Sequence, residues 1–279
     1  MKAGQFEIDI LHEGTMRVDG GGVFGIIPRH LWEKKAACDS KNRVLLGLRQ
    51  LLIRGRESNI LIDTGAGTKL NQRFREIFSI VNPPPWKARL KPFGLAPEDI
   101  THVIFTHLHF DHSGGATIFS ENEQDVLPSF PNAKYIVQSG EWNEACITNE
   151  RSRRSYFFED FLPIQHEGKL KLINGDHEIY DGIKVCITGG HTRFHQMVVI
   201  KSGGRRIICP GDIFPTSNHV FTAWETSFDQ FPHDTLEYKK TLLSKYLNTD
   251  TLFFFGHDPD GELKRITGTL DNPQTVLAE

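Results

Sequence analysis

Thr106–His107–Leu108–His109–Phe110–Asp111–His112–Ser113–Gly114–Gly115 decides how the rest of this chain is read. It follows His102–Val103–Ile104–Phe105, an apolar run of the length expected for a short buried strand. Three imidazoles and a carboxylate therefore stand where a strand ends. A strand end and the turn after it can aim several side chains at one point, whereas a helix spreads residues at i, i+2, i+4 and i+5 over different faces. Converging neutral imidazoles and a carboxylate suit a divalent transition metal. His107 and His109 project to one side, and Asp111 and His112 come from the turn beyond, which points to two metals about 3.5–4 Å apart. Each metal needs further ligands from elsewhere in the chain.

The 279 residues carry a net charge of −3, with 38% hydrophobic and 24% charged residues. That is the composition of a soluble globular protein with enough mass for a large core. It gives no electrostatic footprint for nucleic acid or an anionic membrane, so neither is expected as a partner. No apolar stretch reaches the roughly 18–20 residues needed to span a bilayer, and the first residues do not form a signal-peptide core. A cytoplasmic protein is expected. Cys38, Cys146, Cys186 and Cys209 are far apart with no Cys-x-x-Cys pair, the pattern of reduced structural thiols.

Working outward, Phe6–Leu11 alternates as a half-buried strand and is followed by the glycine-dense loop Asp19–Gly25. Residues 43–54 and 59–62 read as paired strands, and Asp63–Thr64–Gly65 comes directly after them. Asp63 either caps a turn or accepts a hydrogen bond from a ligand imidazole, fixing its tautomer. A helix is expected over 69–80, a proline break and irregular segment over 81–93, and a further helix capped by Ser139. From Lys169 the spacing predicts an antiparallel meander of strands 169–173, 177–180, 183–188, 196–200 and 206–209. His191 and Asp212 follow strands of that meander as His107 follows its own, so all three can open on one sheet edge. Phe214 to Phe231 is long, irregular and aromatic, and such loops are functional more often than idle. A helix over 235–248 and the strand 251–255 then deliver Gly256–His257–Asp258.

Asp63–Thr64–Gly65, His107-x-His109-x-Asp111–His112, His191, Asp212 and His257, in this order and at strand ends, resemble the five motifs of the metallo-β-lactamase superfamily. The resemblance spans roughly residues 44 to 258 and implies an αββα sandwich, an α/β (α+β) fold of two mixed sheets flanked by helices. The expected organisation is one domain over 1–279, with an N-terminal extension of about 1–43 and an aromatic loop of about 213–233. The resemblance also implies the ligand sets. His107, His109 and His191 would bind one zinc, Asp111, His112 and His257 the other, and Asp212 would bridge them, with Asp63 behind.

Within the superfamily, His–Leu–His–Phe–Asp–His and Phe–Phe–Gly–His–Asp most resemble the lactonase-like branch, which includes N-acyl-homoserine-lactone lactonases and organophosphate-degrading hydrolases. Two stretches depart from it: Arg193–Phe194 stand where Pro–Gly is common, and Ile213–Phe214–Pro215 follow Asp212 where a Tyr is common. The implied activity is cleavage of a lactone or carboxylic ester by a hydroxide shared between two divalent ions, zinc first, with Mn²⁺, Fe²⁺ or Co²⁺ as alternatives. Asp111 or Asp212 would relay the proton or, since carboxylates that ligate a metal are poor bases, a water would shuttle it. His195 and His219 are the candidate oxyanion donors. Phe24, Trp32, Phe214, His219, Phe221 and Trp224 are expected to line an apolar pocket for a small-molecule substrate. Alternatives on the same site are a thioester or phospho(tri)ester hydrolase and a non-hydrolytic iron oxygenase or metal-binding protein. A homodimer is compatible with the sequence.

Overall fold

The computed structural model describes residues 1–278. Strand after strand along the chain is apolar at both odd and even positions, so each must be covered on both faces. The chain meets that demand with two seven-stranded sheets packed face to face and helices on the outer faces, an αββα sandwich. The alternation is legible residue by residue. Leu51, Ile53, Ile60, Ile62, Ile104 and Ile136 point between the sheets and meet Val198, Ile200, Ile207 and Phe254 of the other one. Their neighbours Leu52, Leu61, Val103 and Tyr135 point outward beneath Trp86, Leu90, Trp142 and Ile164 of the covering helices. On the far side Val199, Ile208 and Phe253 are covered by Leu242, Leu243 and Tyr246 of the helix Pro232–Tyr246.

The first sheet runs, in spatial order, Lys2–Ala3, Phe6–Asp19, Arg43–Arg54, Asn59–Ile62, His102–Ile104, Lys134–Gln138 and Leu170–Ile173. Its first four strands are antiparallel and its last four are parallel. Parallel strands end at the same edge of a sheet, which places the residues after Ile62 and Ile104 side by side. The second sheet runs His177–Tyr180, Ile183–Ile187, Gln196–Ser202, Arg205–Cys209, Leu252–Phe254, Leu263–Gly268 and Pro273–Leu277. Leu252–Phe254 lies parallel to Arg205–Cys209, so His257 and Asp212 also emerge at one edge.

Three sequence expectations are corrected. The stretch 1–43, expected as an extension, contains a 14-residue strand paired with Arg43–Arg54 from Glu7↔Arg54 to Asp19↔Arg43. Its full length was hidden by polar residues from His12 to Thr15, where the register shifts between His12 and Gly14. Leu170–Ile173, expected to open the meander, joins the first sheet parallel to Lys134–Gln138. The chain changes sheets at Asn174–Gly175–Asp176, where the side chain of Gln138 donates to the Gly175 carbonyl (2.9 Å) and accepts from the Gly175 amide (3.0 Å). Ser139 is the first residue of the helix Ser139–Cys146, not its cap; Gln138 holds the capping position.

The proline-rich segment 81–93 ends in the helix Trp86–Leu90, and Trp86 donates its indole N–H to the carbonyl of Gly115 (2.8 Å), fastening the covering layer to the loop after the histidine motif. All four cysteines are free. No helix among the described residues is long and apolar enough to cross a membrane.

Candidate metal centre

The strand ends deliver His107, His109, Asp111, His112, His191, Asp212 and His257 to one place. Ligand atoms of His107, His109 and His191, of His107, His112 and Asp212, and of Asp111, His112 and His257 each lie within 4.8 Å of one another. The closest approaches are His109 Nδ1 to His191 Nε2 and His112 Nε2 to His257 Nε2, both 3.1 Å. One carboxylate oxygen of Asp212 is 3.4 Å from His112 Nε2 and 3.5 Å from His257 Nε2, while the other is 3.4 Å from His191 Nε2. Asp111 reaches His257 Nε2 at 3.6 Å.

The outer nitrogens of these rings fix which atom faces inward. His112 Nδ1 donates to Asp63 (2.9 Å), His191 Nδ1 to Asp229 (2.8 Å) and His257 Nδ1 to the carbonyl of Gly47 (2.8 Å). His107 Nδ1 donates to the Thr106 hydroxyl (3.1 Å), which itself donates to Asp63 (2.8 Å). As metal ligands, each of those four rings would turn an Nε2 lone pair toward the centre. His107 Nε2 is buried with no hydrogen-bond partner. Ring nitrogens facing each other at 3.1 Å need a proton or a metal ion between them. Two nitrogens on one tetrahedral zinc stand roughly 3.3–3.4 Å apart, given bonds of about 2.0–2.1 Å. The donor set, the spacing and the orphaned nitrogen all fit divalent cations.

Burial first, and then the surrounding imidazoles, hold His107 and His109 well below the ordinary histidine pKa, so both are neutral. Burial alone would raise the Asp212 carboxyl, but the imidazoles of His112, His257 and His191 outweigh it and hold Asp212 well below the usual carboxylate range.

The supports come from distant parts of the chain. Asp63 adopts a positive φ of 56° and accepts from the Thr106 amide (2.8 Å) as well as from Thr106 Oγ1 and His112. Three other supports are not evident in the sequence. Asp229, in the aromatic loop, holds His191 and also accepts from Thr226 (2.9 Å). Glu141, fully buried, accepts from the Leu108 amide (3.0 Å), the Tyr156 hydroxyl (3.1 Å) and the Thr192 hydroxyl (2.6 Å), tying the His107/His109 turn to the His191 loop. The Gly47 carbonyl orients His257, and the Gly47 amide donates back to the His257 carbonyl (2.9 Å). A carboxylate at the end of an apolar strand, followed by glycine, advertised Asp63; nothing local marks the other three.

Removing an outer partner of a ligand imidazole costs about 10–100-fold in metal affinity. Asp229→Ala is therefore expected to weaken metal binding by roughly that factor. Competition with a chelator of known affinity reads the change; an unchanged affinity would mean that the His191 ring is held by its packing alone.

The expected pocket residues lie elsewhere than the cavity. Phe24 stacks on Trp32 (5.2 Å between centroids) and on His219 (5.2 Å), with Trp224 edge-on and Phe221 against Trp224. Phe214 packs with Phe253 and Phe255 under the last long helix. None of the six borders the cavity of about 370 Å³ that opens onto His109, Asp111, His191, Asp212 and His257. Its walls are Met16, Val18 and Leu46 from the long N-terminal strand pair, Phe74 and Phe78 from the helix Gln72–Phe78, and Phe110 and Phe228. Aromatic rings in a long loop satisfy one another first. The wall comes from elements whose position beside the site only the fold sets.

His195 and His219 likewise serve the scaffold. His195 Nε2 accepts from the Asp212 amide (3.0 Å) and so holds the loop that presents that carboxylate. His219 Nε2 donates to the Val23 carbonyl (2.9 Å), and its Nδ1 accepts from Thr216 (2.7 Å). Burial, followed by the field of Lys239, lowers the His219 pKa to about 4. The unfolded chain, with an ordinary value of 6.5, binds the extra proton between those limits, so stability is full above pH 6.5 and falls as pH drops toward 4, by about 3 kcal/mol in all. His219→Gln, which cannot titrate, is expected to flatten the pH dependence of urea unfolding in this window; an unaltered slope would refute the assignment.

Comparison with known proteins agrees with this architecture. The Metallo-beta-lactamase superfamily profile matches residues 50–257. An N-acyl homoserine lactonase of Bacillus cereus is 32% identical over 177 residues, a match covering 62% of this chain and 62% of that enzyme's length. N-acyl homoserine lactonase AttM of Rhizobium radiobacter is 28% identical over 180 residues, covering 62% and 63%. Among solved structures, a probable metal-dependent hydrolase from Staphylococcus aureus superposes with a TM-score of 0.88 at 30% identity, covering 100% of this chain and 99% of that one. AidC, a dizinc quorum-quenching lactonase, shares the fold with a TM-score of 0.82 at 18% identity, covering 100% and 96%. With its motif histidines gathered at the shared edge of two stacked sheets and the profile matched over most of its length, the chain belongs to the metallo-β-lactamase superfamily.

Proposed function

We propose that this protein is a metal-dependent hydrolase that opens a lactone or cleaves a carboxylic ester of a small, largely apolar molecule. In this reading His107, His109 and His191 hold one divalent ion, Asp111, His112 and His257 a second, and Asp212 spans both. The supporting observation is the cavity: about 370 Å³, apolar on its walls, with the cluster of imidazoles and carboxylates forming one end. Sites of this size and lining suit a small apolar ligand held by a few polar groups. Divalent ions at that end supply Lewis acidity, polarising an ester carbonyl and acidifying water enough to attack it near neutral pH.

The chain's own residues do the rest. Asp63, Asp229 and the Gly47 carbonyl hold three imidazoles in a single tautomer, so no ring has to turn during the reaction. Phe110, Phe228 and the aliphatic wall keep bulk water from the reacting carbonyl. Asp111 and Asp212 are the two carboxylates on the cavity wall; as ligands they are weak bases, so the proton of the attacking water reaches the leaving alkoxide either through one of them or through a second water that they position.

Elemental analysis of the purified protein, with turnover of a lactone, an aryl ester and a phosphotriester, tests the reading. About two divalent ions per chain with lactone or ester turnover is the expected result. One iron per chain with no hydrolysis would overturn it.

A further inference from the structure

Arg154 on the cavity wall and Arg73 in an adjoining depression have side chains with no hydrogen-bond or ion-pair partner among the described residues. Arg151 and Arg154 both border the cavity, but they are differently used. Arg151 donates to the carbonyls of Ser227 (2.9 Å) and Asp229 (2.8 Å), fastening its loop to the loop that carries Phe228. Arg154 makes no hydrogen bond and no ion pair with any described residue. Together with Phe74 and Ile77 it also borders an adjoining depression whose remaining walls are Asn71 and Arg73. The Arg73 side chain is likewise without a hydrogen bond or ion pair among the described residues. No carboxylate lines the depression, and the two that line the cavity face the imidazoles.

The position of Arg154 is tied to the reacting centre. The next residue, Ser155, accepts at its carbonyl from the Phe110 amide (2.8 Å), and Tyr156 packs its ring against His109 (4.9 Å between centroids). Both side chains are exposed, and a guanidinium fork beside an apolar wall matches a carboxylate or phosphate bidentately. A wholly neutral ester would leave both arginines unused.

We propose that the ligand of this cavity carries an anionic group, carboxylate or phosphate, at the end remote from the bond to be cleaved, and that Arg154, assisted by Arg73, binds it. The inference rests on the hydrolase reading for the word "cleaved" but not for the binding. Octanoate, suberate and 8-phosphonooctanoate all offer the same first carboxylate to the metal-loaded protein and differ only at the far end, so calorimetric titration reads the distal site directly. Suberate or the phosphonate is expected to bind about tenfold more tightly than octanoate, the tighter of the two naming the group, and the advantage is expected to shrink in 0.5 M salt. Arg154→Gln should abolish the preference. Arg153→Gln, the same charge change on the same loop but off the cavity wall, should retain it.

Equal affinities for all three acids in the wild type would overturn the proposal, as would equal losses in the two variants, which would indicate only a diffuse positive field. Phenyl octanoate and the phenyl monoester of suberic acid separate this idea from the hydrolase reading. Turnover of both at one KM, with no binding preference, would sink the anion site and leave the hydrolase standing. A binding preference with neither ester cleaved would do the reverse.

Discussion

Asp212→Ala is expected to lower kcat/KM for the best lactone or ester by roughly a thousandfold or more, equivalent to about 4 kcal/mol of lost transition-state stabilisation. The reason lies in where its two oxygens point. One faces His112 and His257 and the other faces His191, so a single truncation strips a donor from both halves of the cluster. That should exceed the 10–100-fold penalty typical of an outer partner such as Asp229. His109→Ala should act similarly on its own half. Metal content should fall in both variants. The scaffold should survive, because Asp212 is presented by a loop held through His195 and not by its own carboxylate. Thermal unfolding in chelator, where bound metal cannot add stability, should stay close to that of the wild type. Unchanged turnover in both variants would remove these residues from the site.

The largest loss of stability is expected from Gly65→Ala, about 3–5 kcal/mol, or a drop in Tm of roughly 10 °C or more. Gly65 has a φ of +76°, and a Cβ built there would lie 1.4 Å from Glu13 Oε2 and 2.5 Å from Gln50 Nε2. The backbone conformation alone costs an alanine about 1–2 kcal/mol. The remainder comes from Glu13, which is buried and takes hydrogen bonds from the Gly67 amide (2.8 Å) and the Gln50 side chain (3.0 Å). Driving that carboxylate aside strands both donors in a buried site. Gly94 is the matched control, with a φ of +72° and nothing within 4 Å of a Cβ. Gly94→Ala should lose only the backbone share, about 1–2 kcal/mol. Equal losses at the two positions, measured by urea unfolding, would refute the argument from the Glu13 contact. Because Gly65 lies two residues beyond Asp63, the Gly65 variant should also lose activity out of proportion to its folded fraction.

How far the sequence carries is clearest where it stops. His-x-His-x-Asp-His after an apolar strand, and single His or Asp residues after later strands, are local patterns. Strand period and turn chemistry operate over a few residues, so the placement of these side chains at strand ends is legible without the fold. The two-faced burial of Leu51, Leu52 and Ile53, or of Ile60 and Leu61, is written in the same local code and forces a layered sandwich. These features the sequence by itself determined: the architecture, and the kind of residue that gathers at the sheet edge.

Tertiary structure decided the rest, because the remaining contacts join residues whose separation carries no pattern. Asp229 lies 38 residues from the His191 it orients, and Gly47 lies 210 residues from His257. Whether Leu170–Ile173 continues a meander or crosses to the other sheet depends on what Gln138 offers its turn. Phe24, Trp32 and Phe221 look like pocket aromatics in the sequence, yet they serve one another in the scaffold, while Phe74, Phe78 and Phe110 face the cavity. Apolar area alone does not distinguish a ring that packs against protein from one that awaits a ligand; only the position of the neighbouring element does.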